Sequence, residues 1–166
     1  LPAVMISYPQ PESTHPDIPV LRVIDAIMSQ GESSRLYQSM VYDQQVATAV
    51  FTNFEATQDP GAYSLFAILS GGQDANAGLA SLSAEIARMR DGQVTQAELD
   101  EAKNEIVTAT IQARETAEGR ADALADAVIR YGDADYADRM LAAIQRTTAA
   151  DIQRVARSIF NENRRV

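Results

Sequence analysis

The sequence predicts an α+β fold, an antiparallel-rich sheet covered on one face by helices. Three observations carry that reading. Strand-like segments crowd the first 70 residues, helical periodicity fills residues 75–160, and the two do not alternate as a parallel sheet would require. At 166 residues the chain suits a single domain over 1–166 with a core that needs no metal or disulfide staple.

Ala3 to Tyr8 alternates, with Val4, Ile6 and Tyr8 on one face, and reads as the first strand. Pro9, Pro11 and Pro16 keep the following stretch extended or turning. Val20, Ile24, Ile27 and Met28 then mark a helix over Asp17–Ser29, which Gly31 ends. Ser33 or Ser34 is the expected cap of a short second helix running to about Tyr42, with Leu36 and Met40 inside. Val46–Phe54 and Ala62–Ser70 are rich in β-branched and aromatic residues. Gln58-Asp59-Pro60-Gly61 between them is turn chemistry, so the pair reads as an antiparallel hairpin. Ser70-Gly71-Gly72 leads into the helical half.

Leu79, Leu82, Ile86 and Met89 mark the next helix, closed by Asp91-Gly92. Thr95-Gln96-Ala97-Glu98 is a capping box, opening a long helix with Leu99, Ala102, Ile106, Ala109 and Ala113 on one stripe. Leu124, Val128 and Tyr131 mark a further helix stopped by Gly132; Met140, Leu141 and Ile144 mark a short one. Thr148-Ala149-Ala150-Asp151 opens the last, with Ile152, Val155 and Ile159 inside. The many alanines are expected to permit close helix approach. Asn163-Arg164-Arg165-Val166 stands where another strand could begin, so the unit reads as truncated before a last edge strand. The absence of an initiator Met at Leu1 agrees with a piece of something longer.

Composition excludes several function classes. The net charge of −9 repels phosphate backbones and anionic lipid, which argues against nucleic acid or membrane partners. No apolar run reaches the ~20 residues of a membrane helix. Zero cysteines and one histidine remove thiol chemistry and any site built on two imidazoles. His15-Pro16-Asp17-Ile18-Pro19 lacks the zinc-peptidase spacing, and His15 among turn residues reads as a surface-turn or helix-start residue. Seven of the nine net negative charges fall between residues 85 and 138, mainly off the apolar stripes, as a solvated face requires. Glu115 and Glu118 belong to that face. Ser70-Gly71-Gly72 matches no phosphate loop, and no G-x-S-x-G context surrounds Ser33 or Ser34. An unrelated soluble enzyme using carboxylates is thereby disfavoured.

The wording of residues 17–48 and of two later helices carries more. Asp17 with Leu21 and Val23, Gly31-x-Ser33-Ser34-Arg35-Leu36-Tyr37, Val46-Ala47, Thr95-x-x-Glu98-Leu99-x-x-Ala102-Lys103 and Thr148-x-x-Asp151-Ile152-x-x-Val155-Ala156 occur in one order over nearly the whole chain. In that ordered set the chain resembles the C-terminal, non-zinc-binding half-domain of the M16 (pitrilysin-like, insulinase-type) metallopeptidases. The resemblance implies two similar halves closing like a clamshell around an unfolded peptide. The partner half carries H-x-x-E-H and zinc, and its glutamate serves as base. This half carries no catalytic residue, metal or cofactor, and forms one wall of the peptide chamber. Its expected partners are that H-x-x-E-H half, on the same or another chain, and a peptide. Family habit implies the bacterial periplasm.

Many such halves present an arginine and a tyrosine to the active site. The corresponding positions here are Val41 and Thr48. Tyr42, Gln45 and Thr48 are the nearest polar groups that could bind substrate instead, while Arg35 and Tyr37 belong to a different motif that fixes the local fold. The same departure makes a non-proteolytic binding or scaffold subunit of this fold the alternative.

Overall fold

The computed structural model describes residues 2–166. Three strands, β1 (Ala3–Gln10), β2 (Ala47–Asn53) and β3 (Gly61–Leu69), form one antiparallel sheet in the order β1-β3-β2. Six α-helices accompany them: α1 (Ile18–Ser29), α2 (Ala75–Asp91), α3 (Gln96–Ala113), α4 (Ala117–Tyr131), α5 (Tyr136–Arg146) and α6 (Ala149–Ile159). The expected α+β class and the hairpin pairing are both present.

The pleat sorts the sheet into two faces. Ile6, Tyr8, Tyr63, Leu65, Ala67 and Leu69 are buried beneath α1, α2 and α6. The next residue along each strand turns the other way. Met5, Phe66 and Phe51 stand opposite one another in register on the uncovered face, where the rings of Phe51 and Phe66 stack at 4.8 Å. At the outer edge of β1, Ser7 and Val166 exchange two backbone hydrogen bonds of 2.8 and 3.0 Å.

Local signals set the helix ends. Thr95 accepts the Glu98 amide while Glu98 accepts the Thr95 amide, and Thr148 and Asp151 repeat the reciprocal arrangement. His15 Nδ1 accepts the Asp17 amide at 3.2 Å, a helix-start role. Ser34 departs from the expectation that it caps a helix. Its hydroxyl donates back to the Gly31 carbonyl at 2.8 Å, so it stabilises the turn rather than receiving an orphan helix amide.

Tertiary packing overrides the apolar stripes in two places. On α2 the inward residue is Gly78, not Leu79. A Cβ on Gly78 would come within 2.8 Å of Leu69 Cδ1, so only glycine lets α2 approach β3 this closely, and Leu79 turns outward. On α4 the buried residue is Ala127, whereas Leu124 and Val128 are exposed. Ala109 and Ala113 of α3 are exposed too, so these alanines line an open cleft and not the close-packed seam their composition implied.

Candidate functional site

The segment joining α1 to β2 departs from regular backbone three times within a dozen residues. After two residues of ordinary helix, Arg35 and Leu36, the chain widens into a π-helical turn over Tyr37–Asp43, with the Gln44 amide donating to the Ser39 carbonyl at 2.9 Å. The wider winding lets Leu36 and Met40 both reach full burial while Ser39 also points inward. Gln45 then adopts a left-handed conformation at φ +54°, the single non-glycine residue with positive φ among the described residues. Finally, the register slips between Ala47 and Ala49, which leaves Thr48 as the extra residue of a β-bulge against Ile68 and Leu69. Such irregularities cost energy, and they cluster where side chains must be aimed outward for function.

A polar relay holds the segment on α2. Ser81 Oγ donates to Gln44 Oε1 at 2.7 Å, Gln44 Nε2 donates to Ser39 Oγ at 2.7 Å, and Ser39 Oγ donates to Glu85 Oε1 at 2.8 Å. Glu85 is 4% exposed and both its oxygens also accept from Arg88 at 3.0 Å, so its buried charge is compensated. Sequence reasoning missed this relay. Its one sequence signal is that Glu85 falls on the inward stripe of α2 beside Leu82, Ile86 and Met89.

The three residues singled out as substrate contacts lie on the same segment. Tyr42 is 68% exposed at the end of the π turn. Gln45 is exposed, and its carbonyl accepts the Ser70 hydroxyl at 3.0 Å. Thr48 is exposed on the bulge, with its hydroxyl donating a long 3.3 Å bond to the Ile68 carbonyl. They share one stretch of surface, but no hydrogen bond joins them to one another among the described residues. Val41 is partly buried against the core, so nothing cationic stands at that position. The face therefore offers the hydroxyls of Tyr42 and Thr48 and the amide of Gln45 beside the exposed Asp43. It holds no nucleophile–base pair.

Replacing Gln45 with glycine tests the strain directly. Left-handed backbone costs a side-chain-bearing residue about 1–2 kcal/mol, part of which glycine's greater unfolded-state freedom cancels. Gln45→Gly is expected to raise stability by about 0.5–1 kcal/mol in urea unfolding. A loss of stability would show that the Gln45 side chain, not the fold, maintains the turn.

Arg35 contributes to the local fold. Arg35 Nε and a terminal nitrogen grip the two oxygens of Glu98 at 2.7 and 3.2 Å. Two sequence-distant motifs thus meet: the Gly31–Tyr37 turn and the capping box of α3. Among the described residues no three His, Cys, Asp or Glu side chains are grouped to hold a metal ion, and the His15 Nδ1 is already committed to Asp17.

Comparison with known proteins agrees with this architecture. The family model described as "Peptidase M16 inactive domain" matches residues 1–106. The "Zinc protease PqqE" of Helicobacter pylori is 27% identical over 166 residues, covering 96% of this chain, while the chain spans 36% of that protein. A crystal structure of a protease from Helicobacter pylori superposes with a TM-score of 0.91 at 23% identity, covering 98% of this chain and 39% of that one. An inactive peptidase domain from Bordetella parapertussis superposes with a TM-score of 0.87 at 24% identity, covering 99% of this chain and 87% of the other. At those identities the solved structures establish the fold alone. The family match establishes more: the chain belongs to the M16 peptidases, as an inactive C-terminal half-domain.

Proposed function

We propose that this chain forms one wall of a peptide-binding chamber in a zinc-dependent M16 peptidase, with an H-x-x-E-H-bearing half supplying the zinc and the catalytic base. The observation that carries the proposal is the coincidence of π turn, left-handed Gln45 and Thr48 bulge on the segment where the family resemblance expects chamber-facing residues. Peptidases that accept many sequences recognise main chain, for which uncharged donors and acceptors such as Tyr42, Gln45 and Thr48 are suited. This half contributes positioning only, and the chemistry belongs to its partner. The reading extends, on family habit, to a whole protein that acts in the bacterial periplasm.

A second reading, a non-proteolytic binding or scaffold subunit, is favoured by one observation: Val41 and Thr48 replace the arginine and tyrosine that reach the active site in many relatives.

Kinetics of the reassembled two-half protein separate the readings. Each lost neutral hydrogen bond is worth ~0.5–1.5 kcal/mol. Tyr42→Phe and Thr48→Val are therefore expected to lower kcat/KM about two- to tenfold each without abolishing turnover. Peptide binding with no cleavage by the intact assembly would support the scaffold reading. Cleavage unaffected by both substitutions would mean that this half contributes shape alone.

A further inference from the structure

Between α1, α3 and the α4–α5 hairpin runs a cleft of about 510 Å³, continued by a recess of about 180 Å³ toward α5. Alanines at 109, 113, 123 and 137 leave it open, because no larger side chain fills the space between the helices. Its apolar wall includes Phe54 and Ile106, and the recess reaches Met140.

Arg22 lines both lobes. Its guanidinium carbon stands 5.8 Å from the centre of the Phe54 ring, which supports the group from one side. Its Nε is buried and has no hydrogen-bond acceptor. No carboxylate pairs with Arg22 among the described residues, although the chain carries 23 acids against 14 bases. Asp25, about one turn along α1 from Arg22, feels the Arg22 charge without a hydrogen bond to it, and the nearby acids accept hydrogen bonds from other groups. Asp25 accepts the Thr52 hydroxyl at 2.5 Å, Asp126 pairs with Arg130 at 2.5 Å, and Asp138 pairs with one nitrogen of Arg114 at 2.6 Å. Arg22 makes no side-chain hydrogen bond among the described residues, and Arg114 keeps further N–H groups free beside it.

We propose that this cleft binds a carboxylate bearing an apolar group, with Arg22 receiving the carboxylate and the Phe54–Ile106–Met140 wall receiving the apolar part. Guanidinium and carboxylate match as a planar, bidentate pair, and the concave, largely apolar lining suits a small amphipathic ligand. A singly charged ligand fits better than phosphate. Asp25 and Asp126 border the same cleft, and a dianion would meet their repulsion. The proposal stands independently of the chamber reading.

Two sources share this chemistry, a peptide C-terminus and a fatty acid, and one titration separates them. The ¹⁵N-labelled 166-residue chain is titrated with N-acetyl-Leu-Phe as the free acid, with the same dipeptide as its C-terminal amide, and with octanoate. Amide signals around Arg22, Phe54 and Thr110 are expected to shift with a free acid and to remain in place with the amide. Shifts with the dipeptide acid alone indicate a peptide C-terminus, and shifts with octanoate alone indicate a fatty acid; either supports the site. Arg22→Gln is expected to weaken the response at least tenfold, and Arg22→Lys to keep part of it. Equal shifts with acid and amide, shifts unchanged in Arg22→Gln, or no shift with any probe at 10 mM or so would overturn the proposal.

Discussion

Phe160→Ala is expected to lower stability by about 3–5 kcal/mol, the range for removing a fully buried aromatic ring. Phe160 lies one residue beyond α6 and is 0% exposed. Its ring meets Tyr8 of β1 edge-on at 5.3 Å and Tyr63 of β3 at 5.8 Å, and Tyr63 in turn meets Phe54 at 5.8 Å. The ring therefore fastens the end of the last helix to two strands at once. The Tyr63 hydroxyl is itself buried beside Asp25, and burial raises its pKa well above the usual phenol value. Thermal unfolding of the variant should show Tm lowered by roughly 6–20 °C, at about 2–4 °C per kcal/mol for a domain of this size. A loss below about 1 kcal/mol would mean that the aromatic cluster collapses around the gap and that the ring is not a fastening.

Arg35→Ala is expected to cost about 1.5–3 kcal/mol at neutral pH, the range for hydrogen bonds to a charged group. The Arg35 side chain is 11% exposed, whereas its partner Glu98 is 32% exposed. Partial burial raises the Glu98 carboxyl, but the bonds from Arg35 and from the Thr95 amide and hydroxyl together outweigh it and hold the group at about 2, against an ordinary value of 4.5. The sign follows from that depression. The unfolded chain takes up the proton first, so the stabilisation is complete above about pH 4.5 and is lost as pH falls toward 2. Solvent around the exposed part of Glu98 screens the interaction, which limits the pH-dependent share to ~1 kcal/mol. Unfolding measured from pH 7 to pH 2 should show a shallower acid slope in Arg35→Ala than in the parent. A double-mutant cycle with Glu98→Gln should show coupling between the two residues. Additive losses would mean that the two side chains are neighbours without being partners.

The sequence by itself determined the elements and their order, because the signals that set them are local. Both capping boxes, the turn before β3 and the alternation of β1 act within a few residues, where backbone preferences and short-range hydrogen bonds decide the outcome. Within the candidate site the sequence identified Tyr42, Gln45 and Thr48 through their place in a resemblance. It gave no reason why their backbone should be irregular.

Tertiary structure decided the rest. A short helix to Tyr42 became a π turn because Leu36, Met40 and Ser39 must all point inward, the last toward a glutamate 46 residues away on α2. Glycine replaced leucine on the inward face of α2 because Leu69 already fills that space. The apolar stripe of α4 turned outward, and the alanines of α3 opened a cleft, because which face of a helix is covered depends on neighbours that periodicity does not name. Arg35 and Glu98 became partners across 63 residues for the same reason. Periodicity assigns a residue to a face of its own helix or strand, and only the packing of distant segments determines what that face meets.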